Sequence, residues 1–100
     1  MRLHAEELEA QLPTLDGWVH DATRGGILSK EFRFEDFSQA FSFMAQIAVH
    51  AERMDHHPEW FNVYNRVSVA LTTHDVDGVS AKDIEMARLM NRIFANQAII

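Results

Sequence analysis

Pro58 stands where the periodicity of this chain changes, and that change constrains the fold more than any other feature. Upstream, Phe37, Ala40, Phe41, Met44, Ile47, Ala48 and Ala51 recur at helical spacing. They predict a helix over residues 37–54 with one broad apolar stripe. Asp36 is placed to cap it, with Gln39 three residues on. Downstream, Phe61 to Tyr64 and Val67 to Thr73 read as extended segments, with Val67, Val69 and Leu71 on one face and Ser68, Ala70, Thr72 and His74 on the other. A residue before proline avoids helical geometry, so His57 is expected outside the helix. The adjacent pair His56-His57 is therefore expected in a helix-to-strand exit.

The rest of the chain supplies the partners. Residues 3–12, with Leu3, Leu8 and Leu12 among glutamates, predict a short helix ended by Pro13. Gly17 to Asp21 reads as a strand, Thr23-Arg24-Gly25-Gly26 as a turn, and Ile27 to Phe34 as the returning strand, with Leu28, Phe32 and Phe34 on one face. After the Asp77-Gly78 turn, Ser80 and Asp83 open a last helix in a Ser-x-x-Asp start. Ile84, Ala87, Asn91 and Phe94 form one stripe of that helix; Met86, Leu89 or Met90, Ile93 and Ile100 form another. Its apolar circumference exceeds what one core contact needs, so part of it is expected to serve as an oligomer interface. The order α-β-β-α-β-β-α predicts an α+β fold, a four-stranded antiparallel sheet with three helices packed on one face.

Composition excludes several function classes. At 100 residues, a single domain over 1–100 is expected. The formal net charge of −6 argues against direct nucleic-acid binding, which needs a basic surface. With no cysteine, disulfides, zinc–thiolate sites and thiol nucleophiles are excluded. There is no apolar run of transmembrane length and no signal-peptide pattern at the N-terminus, so a cytoplasmic protein with no membrane partner is expected. The serines sit in no nucleophile elbow, and Gly25-Gly26 opens no phosphate-binding helix.

His56, His57 and His74 are the residues with most chemical potential, because imidazole exchanges protons near neutrality. On residues alone three readings stand: polar loop residues with a structural role, metal ligands, and acid–base catalysts. Adjacent histidines diverge, and neither His-x-x-x-His nor His-Glu-x-x-His spacing occurs, which weighs against metal. The acid–base reading places the three beside Trp60 and the carboxylates Glu52, Asp55 and Asp83. The bland alternatives are plain: Asp83 in a first helical turn complements the helix dipole, Glu52 on a helix surface is solvated, and Trp60 belongs to a core. His4, His20 and His50 are isolated and read as surface residues.

The run from Glu52 through His56-His57-Pro58-Glu59-Trp60-Phe61-Asn62-Val63-Tyr64-Asn65, the segment Val67 to His74, and Gly78-Val79-Ser80-Ala81-Lys82-Asp83 closely resemble the pterin-4a-carbinolamine dehydratases. The likeness extends upstream through Phe32 to Met44 and spans roughly residues 3 to 94. It implies the α+β fold above. It also implies dehydration of a 4a-hydroxytetrahydropterin to quinonoid dihydropterin and water, which recycles the pterin after aromatic amino acid hydroxylation. A functional link to an aromatic amino acid hydroxylase follows, with a homodimer or homotetramer and no metal or redox cofactor. Position by position, His56, His57 and His74 match the family's active-site histidines. His56 and His74 are assigned to proton transfer and His57 mainly to orienting the pterin. Glu52, Asp55 and Asp83 match supporting carboxylates. Trp60 matches the aromatic wall, and Pro58 with Thr73, Asp75 and Val76 matches segments lining the substrate.

The turn Arg24-Gly25-Gly26-Ile27 and Thr72 depart from the animal members, changes expected to leave catalysis untouched. Ala95 to Ile100 follow no family pattern. In animal relatives the family also serves as a dimerisation cofactor of a transcription factor. A non-catalytic module that docks through its apolar C-terminal helix is therefore the alternative. The intact histidine set favours catalysis.

Overall fold

The computed structural model describes residues 1–97. Helix α1 (Ala5–Gln11) leads through a 3₁₀ turn, Leu12–Thr14, to strand β1 (Val19–Asp21). A second 3₁₀ turn, Thr23–Gly25, joins it to β2 (Ile27–Arg33). Then follow α2 (Phe37–Met54), β3 (Glu59–Val63), β4 (Arg66–Leu71), a 3₁₀ turn His74–Val76, and α3 (Ala81–Gln97). The four strands form one antiparallel sheet in the order β1-β2-β4-β3. The α+β architecture read from the sequence is thus present. The strand order, with β4 inserted between β2 and β3, is new information. No helix among the described residues is long and apolar enough to cross a membrane.

Strand alternation sorts the two faces. Leu28, Phe32, Val67, Val69 and Leu71 are buried beneath α2 and α3. Phe32 is the hub of that layer: its ring meets Phe43 at 4.9 Å, Phe94 at 5.2 Å and Trp18 edge-on at 5.9 Å. The opposite face carries Val19, Phe61 and Val63 exposed, beside the ion pairs of Glu31 with Arg33 and Arg66.

Three details depart from expectation. β1 begins at Val19 rather than Gly17. Gly17 has φ +82, outside strand geometry, and Trp18 turns inward, its Nε1 donating to Asn91 Oδ1 at 3.1 Å. On α2 the buried residues are Ala40, Phe43, Ile47 and Ala51, whereas Phe37 and Phe41 are 47% and 58% exposed and Ala48 also faces out. At about 100° per residue these three lie roughly 60–100° round the helix from Ala40. The expected stripe was thus centred too far round and omitted Phe43. On α3 both apolar stripes are used within the chain. Ile84, Met86, Ala87, Leu89 and Met90 are buried, and Ile93 and Phe94 pack against the core. The physical reason is a second neighbour: the N-terminal segment runs along α3, joined to it by Arg88 to Gln11 and Thr14 and by Asn91 to Asp16. Apart from Met1 and Tyr64, the large exposed apolar side chains lie on α2 and the open sheet face, not on the described part of α3. Ile100, assigned to the second stripe, lies outside the described residues.

The elements that present the histidines end cleanly. Asp36 accepts from Gln39 N at 2.9 Å, starting α2. At its far end Asp55 takes a left-handed conformation, φ 51, and His56 N bonds back to Ala51 O at 3.1 Å. His56 and His57 therefore leave the helix, as Pro58 requires. Past β4, Thr73 and Gly78 form a two-residue bridge that closes the segment carrying His74.

Candidate active site

Each of the three histidines has a carboxylate oxygen facing its Nε2, and each carboxylate comes from a different element. The first pair is buried. His56 Nε2 stands 2.6 Å from Asp83 Oδ1, with side-chain exposures of 8% and 0%. Asp83 Oδ2 accepts from Thr73 Oγ1 at 2.7 Å and from Ser80 N at 2.9 Å, and Ser80 Oγ lies 2.6 Å from Thr73 Oγ1. A buried carboxylate is tolerated when its lone pairs are taken, and here both oxygens are engaged. The Ser-x-x-Asp helix start thus does two jobs: Asp83 caps α3 by accepting from Ser80, and with its other oxygen it holds His56. That leaves Nδ1 as the ring nitrogen open to other chemistry, the logic of any carboxylate-anchored imidazole.

The second pair is open to solvent: His57 Nε2 lies 2.7 Å from Glu52 Oε1, one helical turn back on α2. The third is looser. His74, three residues past β4 and 75% exposed, has its Nε2 3.4 Å from Glu59 Oε2. Glu59 is also gripped by Arg24, whose Nη1 and Nη2 reach its two oxygens at 2.9 and 2.6 Å. The Arg24 hydrogen bond holds the Glu59 carboxyl below its ordinary value; burial opposes it, and the charges of Arg24 and His74 add to the lowering. Arg24 is correspondingly raised.

The remaining sequence candidates fall as follows. Asp55 contributes the left-handed cap of α2 through its backbone. Pro58 and Trp60 are half-buried; Trp60 lies across from Val69 on the helix-covered side and packs against the core. Asp75 and Val76 share the 3₁₀ turn with His74. Thr73 belongs to the buried network of Asp83. No three His, Asp or Glu side chains among the described residues are grouped as metal ligands would be.

A cleft of about 460 Å³ lined by Arg24, Gly25, Thr72, His74 and Asp77 opens beside His74, within the ~300–1,000 Å³ of small-ligand sites. A larger, more apolar depression lies on the open sheet face, lined by Val19, Phe61 and Ala70 among others. Glu59 and Trp60 also line it, whereas of the three histidines only His74 lines the cleft. The sequence reading gave no role to Glu59 or Arg24. Glu59 was visible in the His-His-Pro-Glu string, and strand alternation alone would have turned it away from Trp60. Arg24 lies 35 positions from Glu59 and carried no local signal.

The α+β scaffold thus sets three imidazoles against three carboxylates. The chain belongs to the pterin 4 alpha carbinolamine dehydratase family, whose model matches residues 1–93. It is 54% identical over 92 residues to a Brucella ovis protein provisionally named a pterin-4-alpha-carbinolamine dehydratase, covering 92% of this chain and 94% of that one. A Brucella suis protein of the same name matches to the same extent. Among solved structures it is similar to a Brucella melitensis protein described as a transcriptional coactivator/pterin dehydratase, with a TM-score of 0.88 and 53% identity over 93% of this chain and 98% of that one. A pterin dehydratase-like protein described as a RuBisCO assembly factor of the alpha-carboxysome shares the fold, with a TM-score of 0.67 at 18% identity over 78% of this chain and 89% of that one.

Proposed function

We propose that this chain is a hydro-lyase that dehydrates 4a-hydroxytetrahydropterin to quinonoid dihydropterin and water. The buried His56–Asp83 pair at 2.6 Å carries the reading, together with family membership. In the reaction the N5–H proton leaves, its electron pair forms the C4a=N5 bond, and the C4a–O bond breaks as the hydroxyl takes a proton and departs as water. One group must accept a proton and another must donate one, and two positioned imidazoles suffice for both. His56 and His74 are assigned to these transfers. His57, held by Glu52, orients the pterin, and Pro58, Trp60, Thr73, Asp75 and Val76 line it. Asp83 and Asp55 support the histidine exit. The chemistry asks for no metal or redox cofactor.

The same reading makes the protein cytoplasmic, a homodimer or homotetramer, and a partner in pterin recycling for an aromatic amino acid hydroxylase. The competing idea of a docking module acting through its C-terminal helix draws no support from the described part of α3, whose large apolar residues are buried or packed against the core.

The test is a stopped-flow assay of in situ generated 4a-hydroxytetrahydropterin with single alanine variants. His56→Ala and His74→Ala are expected to lose about 10²-fold or more in kcat, and His57→Ala to raise KM chiefly. Equal activity in all three folded variants would refute the assignment.

A further inference from the structure

We propose that Glu59 is a positioning residue for His74, itself held in place by Arg24 from the β1–β2 turn. For its kinetic arm this rests on the dehydratase reading; for its spectroscopic arm it rests on geometry alone. The turn expected to leave catalysis untouched is thereby joined to it.

Three observations converge. Arg24 grips Glu59 through two parallel bonds, at 2.9 and 2.6 Å. That fork fixes the plane of a carboxylate that would otherwise sample several rotamers at the start of β3. Glu59 Oε2, which takes one arm of the fork, is also the oxygen 3.4 Å from His74 Nε2. Finally, the turn bearing Arg24 is seated on the segment bearing His74. Arg24 adopts φ 56, which non-glycine residues seldom do. A Cβ on Gly25 would stand 1.9 Å from the Asp77 carbonyl oxygen. Thr72 Oγ1 donates to Gly26 O at 2.8 Å, and Arg2 Nη2 donates to Gly25 O at 2.9 Å. Turn, strand end and 73–78 segment therefore share one geometry.

The consequence is chemical. With the Glu59 carboxylate 3.4 Å from Nε2, its negative charge favours the tautomer that carries the proton on Nε2 and leaves the lone pair of His74 at Nδ1. The charged groups around His74 are Glu59 from β3, Arg24 from the β1–β2 turn and Asp77 from its own segment, the last two lining the same cleft; Asp75 is its neighbour in the 3₁₀ turn. Of these, Glu59 is the one in contact with Nε2.

The competing explanation is a strap that merely ties the turn to β3, and a charge swap separates the two. Glu59→Arg and Arg24→Glu are made singly and together in the full chain. The combined variant regains an Arg–Glu pair, so its Tm is expected to return toward wild type. Its kcat is expected to remain about fivefold down, the upper end of what an exposed ion pair supplies, with KM little changed. In ring ¹⁵N spectra at alkaline pH, the Nδ1–H form of His74 is expected to rise in Glu59→Arg and in the combined variant. Recovery of kcat together with Tm, or His74 ring spectra indistinguishable from wild type, would overturn the proposal. If the swap does not fold, Glu59→Gln is read by the same assays. If the wild type itself gives no acceleration, the dehydratase reading fails, and the ring spectra still decide the role of Glu59.

Discussion

Asp83 shows how much one side chain does in this protein. Its two oxygens serve His56, Thr73 and Ser80 from three directions. Asp83→Ala would leave His56 Nε2 and the Ser80 N–H buried without their acceptor, a loss of about 1–3 kcal/mol by the usual cost of an orphaned polar group. Urea denaturation of the variant measures it; a stability equal to wild type would contradict the network. Glu59 makes a pH-dependent contribution whose sign can be worked out. Its folded pKa is depressed, foremost by the Arg24 hydrogen bond. Its stabilisation is therefore present above its unfolded value of about 4.3 and lost as pH falls through the folded value. The pair is largely exposed and screened by solvent, so its contribution is small. The stability gap between wild type and Glu59→Gln should narrow from pH 6 to pH 3, as measured by denaturation at each pH. A gap that widens on acidification would reverse the sign.

At the scale of elements, the β1–β2 turn and the 73–78 segment behave as one unit. Gly25 has φ +83 and no room for a Cβ against Asp77. Gly25→Ala is expected to cost more than about 1 kcal/mol and to displace the segment bearing His74. Thermal unfolding and backbone amide shifts of residues 73–78 would check this, and unshifted amides would contradict it. Much at this scale was legible beforehand. The bounds of α2, the exit of His56 and His57, and the Ser80–Asp83 start of α3 all follow from local rules of period, proline and capping. What was not legible came from distant contacts. The buried face of α2 depends on what lies against it, so Phe43 displaced Phe41. Trp18 left β1 because Asn91, 73 positions away, accepts its Nε1–H. The fork of Arg24 and Glu59 is likewise invisible to any local pattern.

Over the whole molecule, a single aromatic layer ties together the sheet and the helices from which the histidine segments extend. Phe32 touches rings from the N-terminal segment, α2 and α3. Phe32→Ala is expected to cost about 3–5 kcal/mol, a large share of the ~5–15 kcal/mol that stabilises a typical domain. Chemical denaturation would measure it, and a cost below ~1 kcal/mol would contradict the packing described. The exposed rings Phe37 and Phe41, 5.8 Å apart on α2, lie outside that layer. The measurement that bears most directly on the whole account is a single-turnover one. Decay of 4a-hydroxytetrahydropterin is followed with wild-type protein in excess and compared with buffer alone. The account predicts decay that accelerates with protein concentration and then saturates. Decay at the spontaneous rate, with folded protein present, would contradict it.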